Sequence, residues 1–141
     1  MDHKIERLWW VLRIGLGVGP FLAGLDKFFN LLTDWTMYLS PSVSAMVPGS
    51  DQAFMHAVGI IEMAVGIAIF TRFTRQAAYV AAAWLVAIAL NLVATGMFFD
   101  LAVRDLEIAL AAFALAQLSE VRTTVEAKDS TSLSLASTHR A

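Results

Sequence analysis

Asp26 and Lys27, then Glu62, then Asn91, then Arg104, Asp105 and Glu107 stand inside apolar runs long enough to cross a bilayer. Carboxyl, ammonium, amide and guanidinium groups in that setting can hold or relay a proton, or grip the polar head of a lipid-soluble molecule. Each ionisable group costs roughly 2.5–3.5 kcal/mol to insert, so a chain that keeps this many has a use for them. Asp26, Glu62, Asp105 and Glu107 are potential negatives, against Lys27 and Arg104 as fixed positives, so pairing alone does not neutralise the set. Glu62 is the most deeply placed acid and has no base beside it in the chain, which makes it the expected proton holder. His56 is a secondary polar candidate, and no second His or Cys accompanies it to suggest a metal site.

The elements that must position these groups are helices. The chain has 141 residues, 58% hydrophobic and only 16% charged, a membrane-class composition. The apolar runs predict an all-α, integral membrane four-helix bundle over 1–118, with helices at about 8–32, 53–70, 76–98 and 101–118, followed by a Ser/Thr-rich tail over 119–141 that would ordinarily be disordered. Ser40 before Pro41 reads as an N-cap with proline at the first helical position, so a short outer-surface helix is expected between the first two spans. The short turns predict that helices two and three pack as antiparallel neighbours, and that three and four form a second hairpin.

Facing follows from the 100° helical step. Gly15, Gly19 and Ala23 form a small-residue stripe with Asp26 about 20° from Gly15, which predicts close helix contact there and an inward Asp26. Glu62 is flanked by Gly59, Met63 and Gly66, and Asp105 aligns with Ala109, Ala112 and Ala116. Asn91 shares its face with Trp84, Ile88 and Thr95. The rise along each helix places most of these groups toward the outer end. A polar pocket opening outward and narrowing to Glu62 is expected, closed on the inner side by Ala, Leu, Ile and Val. The alternative use of Asp26, Lys27, Arg104 and Asp105 is a salt-bridge clasp between helices one and four.

Lys4 and Arg7, Arg72 and Arg75, and Arg122, Lys128 and Arg140 fall at one side of the predicted spans, while 33–52 and the turn near Asp100 contain no Lys or Arg. Both termini are therefore expected on the cytoplasmic side. The first run is too long for a signal-peptide core and keeps Arg13 within it. A formal charge of −2 with no basic block gives no reason to expect nucleic acid. The absence of cysteine removes thiolate chemistry, and no Ser-His-Asp set or phosphate loop is present. Catalysis by this chain alone is not expected, and an intrinsic cofactor is not called for.

Gly-Leu-Asp-Lys-Phe-Phe at 24–29, Val-Gly-Ile-Ile-Glu-Met-Ala-Val-Gly at 58–66 followed by Thr-Arg-Phe-Thr-Arg at 71–75, and Arg-Asp-Leu at 104–106 resemble the signatures of DoxX-like four-helix membrane proteins. The resemblance spans roughly 13–118 and does not extend to the tail or the shaped outer loop. It implies a bacterial inner (cytoplasmic) membrane protein associated with quinone-linked oxidation or redox complexes, with Lys27, Glu62 and the Arg104-Asp105 pair as the carried-over polar residues. Three functions follow as expectations. The first is a quinone-facing or redox-partner component, the second an accessory subunit among other membrane-protein subunits, and the third a small-solute transporter.

Overall fold

A computed structural model of the chain describes residues 3–138. It is all-helical, with no strand among the described residues: α1 (His3–Asp26), one turn of 3-10 helix (Trp35–Tyr38), α2 (Pro41–Met46), α3 (Asp51–Ile69), α4 (Thr74–Ala94) and α5 (Phe99–Thr138). Three of these, α1, α3 and α4, are long and apolar enough to cross a membrane. The first part of α5, by contrast, contains Arg104, Asp105 and Glu107.

Burial is inverted relative to a water-soluble bundle. The core is largely alanine and glycine, including Ala78, Ala81, Ala112, Ala116, Gly24 and Gly66. Large side chains such as Val11, Leu22, Ile60, Leu90 and Leu110 are exposed. That pattern suits lipid, where a hydrophobic drive between helices is lacking and small residues allow close backbone approach.

The tightest approach is between α1 and α3. A Cβ on Gly24 would lie 2.5 Å from the Gly59 carbonyl oxygen, one on Gly59 would lie 2.5 Å from that of Gly24, and one on Gly66 would lie 2.6 Å from that of Gly17. The predicted Gly15/Gly19 stripe is not this contact, since a Cβ added at either glycine would meet nothing within 4 Å. The operative pairs are Gly17/Gly24 and Gly59/Gly66, each two turns apart on its own helix.

α4 and α5 form the second close pair, antiparallel, through Ala89, Leu92 and Ala102 at one end and the Tyr79–Phe113 ring contact of 6.0 Å at the other. The expected close packing of α3 on α4 is only slight. The glycine contact commits α3 to α1, and the alanine face of α4 goes to α5.

Helix ends depart from the predicted ones for local reasons. α1 stops at Asp26 rather than near 32, because Asn30 takes a left-handed φ of 49° and its N–H bonds back to the Asp26 carbonyl at 2.7 Å. α4 stops at Ala94, ahead of Gly96 at φ 71°. α2 forms where expected, and its Ser40 cap accepts from the Val43 N–H.

The segment after 118 is helical to Thr138 rather than disordered, which makes α5 40 residues long, about 60 Å. Its hydroxyls turn back onto carbonyls one turn earlier, Thr123 to Ser119, Thr124 to Glu120 and Thr131 to Ala127, and Arg122 pairs with Glu126 four residues on. Ser119 itself belongs to the core, where it accepts from the Trp9 indole N–H at 2.7 Å.

Candidate functional site

The residues after α1 turn back across α3, and this places Lys27. Its stem runs over Gly59, where a Cβ would stand 3.2 Å from that of Lys27, and Glu62 sits against Gly24 in the same way at 3.0 Å. The two glycines thus leave slots for the two charged side chains. Lys27 Nζ reaches Glu62 Oε2 at 2.6 Å, with the side chains only 4% and 8% exposed. Glu62 therefore does have a base, supplied by the turn that follows α1. Removing either partner of a buried pair typically costs about 3–5 kcal/mol.

The Trp35 ring covers the ammonium at 3.7 Å from its centroid, a cation–π contact that stabilises a desolvated charge. The Trp35 indole N–H donates to Asp26 Oδ2 at 2.9 Å. Asp26 also accepts from the Leu31 and Leu32 N–H groups at 3.0 and 3.1 Å. Asp26 is buried as predicted, but its carboxylate organises the start of the outer loop instead of meeting the charges of α5.

On the other side of Glu62 lie Asp105 and Trp84. Asp105 is buried within electrostatic reach of the Glu62 carboxylate. The Trp84 indole N–H is buried beside Glu62 without a hydrogen bond of good geometry, and is the one buried side-chain polar atom so left among the described residues. It acts on the Glu62 carboxylate as a donor all the same, and a buried donor held out of good geometry is uncommon.

The remaining sequence candidates separate from this centre. Arg104 bonds its neighbour Asp105 through Nε and Nη2 at 3.2 and 3.0 Å and is 57% exposed, so the predicted α1–α5 clasp is replaced by two separate pairs, Lys27–Glu62 and Arg104–Asp105. Glu107 is exposed. Asn91 is spent on the outer loop: its Nδ2 donates to the Tyr38 carbonyl at 2.7 Å and its Oδ1 accepts from the Ser40 N–H at 3.0 Å. His56 stacks on Phe28 at 4.7 Å and shares a hydrogen bond with Gln52 at 2.9 Å.

The cluster around Glu62 is thus closed by direct pairs and by the 31–50 loop folded over it. A groove of about 640 Å³ lies instead at the opposite end, among Arg13, the α3–α4 turn and Arg122. Sequence reasoning did not place Trp35 and Trp84 at the site. Trp35 lies in a single 3-10 turn, too short for periodicity to report facing, and the face of Trp84 alone names no partner on another helix. Trp84 does share a helix face with Asn91, seven residues on, which was the available signal.

Compared with protein-family models, curated proteins and solved structures, the chain matches none.

Proposed function

We propose that this chain is a DoxX-like, four-span protein of a bacterial inner membrane, with both termini cytoplasmic, that receives the carbonyl-bearing headgroup of a lipid-soluble molecule, a quinone by class, at Lys27, Glu62, Trp84 and Asp105. The observation that carries this reading is the poorly aligned Trp84 N–H beside the Lys27–Glu62 pair. A quinone carbonyl would give that donor a better-aligned acceptor than the Glu62 carboxylate does, and Lys27 has ammonium protons beyond the one given to Glu62. Glu62 and Asp105 are carboxyl groups within reach of one another that could exchange a proton with the headgroup. The lipid-facing apolar surfaces of α1, α3 and α4 give such a ligand its route. The chain holds no redox centre in this reading and acts as the binding component of a larger oxidoreductase.

Saturation of the surrounding polar groups favours a second reading, an accessory subunit in which the same pair only locks α1 to α3. Asp26 and Asn91 are fully engaged by the outer loop, as such a role requires.

Equilibrium binding of a radiolabelled short-chain quinone to the detergent-solubilised protein separates the two. Saturable binding that weakens about tenfold in Trp84→Phe, the loss of one hydrogen bond, supports the first. Absence of saturable binding, or binding equally strong in Trp84→Phe and Glu62→Gln, overturns it. Loss of co-purifying subunits in Glu62→Gln then identifies the second.

A further inference from the structure

We infer that the arginine-ringed groove at the end opposite Lys27 and Glu62 binds the phosphate of an anionic phospholipid headgroup. The inference rests on the membrane-spanning reading of α1, α3 and α4, and is independent of the quinone proposal.

The groove, about 640 Å³, is lined by four guanidinium groups, Arg13, Arg72, Arg75 and Arg122, and by one carboxylate, Glu126. That carboxylate is already engaged, 3.0 Å from Arg122 Nε, and Glu6 lies 3.5 Å from Arg122 Nη2. Among the described residues no acid lies within ion-pair distance of Arg13, Arg72 or Arg75. Uncompensated positive charge is therefore concentrated at one concave place.

Two of the arginines are built into the frame. Arg13 donates from Nε to the Ile69 carbonyl at 2.9 Å and from Nη2 to the Thr71 carbonyl at 3.0 Å, while its guanidinium lies 4.7 Å from the Trp9 ring centroid. Arg122 lies over the other reach of the same indole at 4.2 Å. Arg72 and Arg75 are exposed, Arg72 resting 4.9 Å from the Phe73 ring centroid, and both can swing onto a ligand. The first turn of α4 also opens here through Thr74, Arg75 and Gln76, and Phe73 at its cap position offers no side-chain acceptor to the first N–H groups. Those donors and the planar guanidinium forks match phosphate oxygens.

A lipid source fits better than free phosphate. Phe70, which lines the groove, and Phe73 beside it are 44% and 49% exposed, giving the glycerol and acyl end of a phospholipid an apolar surface. Basic sites between spans at the cytoplasmic face are where anionic headgroups are recognised.

Cell fractionation comes first, because a chain found outside the membrane fraction removes the spanning reading and this inference with it. For the membrane-integrated protein, native mass spectrometry after delipidation compares added phosphatidylglycerol, phosphatidylcholine and inorganic phosphate. The expected result is retention of phosphatidylglycerol about tenfold above phosphatidylcholine, loss of that preference in the Arg72→Ala/Arg75→Ala double variant, and partial retention in Arg72→Lys/Arg75→Lys. Equal retention of the two lipids, a double-alanine variant that keeps the preference, or displacement of the lipid by equimolar inorganic phosphate would each overturn the inference while leaving the spanning reading intact.

Discussion

The two ends of the helix assembly handle charge in opposite ways. At the end holding Lys27 and Glu62, nearly every polar group has an internal partner, and the loop from Leu31 to Ser50 is tied down by Asp26, Trp35 and Asn91. At the other end, Arg72 and Arg75 stand beside a groove in which, among the described residues, no acid lies within ion-pair distance of them. The first arrangement costs much to disturb and leaves, among the described residues, one buried donor without a well-formed hydrogen bond, Trp84. The second costs little to disturb and has capacity to spare. The contrast predicts where substitutions damage folding and where they change only what the protein binds.

The largest effect is expected at the buried pair. Lys27→Met strands the Glu62 carboxylate and should lower stability by about 3–5 kcal/mol, read from denaturant titration in mild detergent. A loss as small as that of a surface substitution would erase the distinction between the ends. Next comes the glycine contact. Gly59→Val puts atoms where the Gly24 carbonyl and the Lys27 stem already lie, and should cost about 1–3 kcal/mol or more. Gly15→Ala, with nothing nearby, should stay within about 0.5 kcal/mol.

Asn91→Ala removes two of the hydrogen bonds that anchor the 31–50 loop, those to Tyr38 and Ser40, and should cost about 1–3 kcal/mol. Hydrogen exchange through residues 33–50 should quicken while the α4–α5 core stays protected, and an unchanged loop would show that Asn91 does not hold it. A comparable effect is expected at Arg104, exposed itself but the hydrogen-bond partner of the buried Asp105. Arg104→Ala leaves that carboxylate unpaired and should lower stability by about 1–3 kcal/mol in the same denaturant titration.

Much of this was legible from sequence, but unevenly. Helical class, the Ser40–Pro41 cap and the inward faces of Glu62 and Asp105 follow from local rules, because periodicity and capping depend on residues a turn apart. The partners of those residues do not. Lys27 meets Glu62 only because Gly24 and Gly59 set the register of α1 against α3, and register between helices is absent from any single-helix pattern. The Gly15/Gly19 reading failed for a related reason. Two glycine faces exist on α1, and the matching seven-residue spacing of Gly17/Gly24 and Gly59/Gly66 was the cue that separates them. Asn30 likewise ends α1 early, although asparagine is a known left-handed stop. The helical tail was misjudged because composition argues for disorder, whereas hydroxyls bonded to the preceding turn and the Arg122–Glu126 pair satisfy a helix locally.

The central claim is that Lys27, in the turn after α1, and Glu62, on α3, form one buried unit. A double-mutant cycle over Lys27→Met and Glu62→Leu, measured by denaturant titration in mild detergent, tests it most directly. The expected result is that each single change destabilises strongly while the double variant recovers a large part of the loss, a coupling of about 2 kcal/mol or more. Two single effects that simply add in the double variant would contradict it.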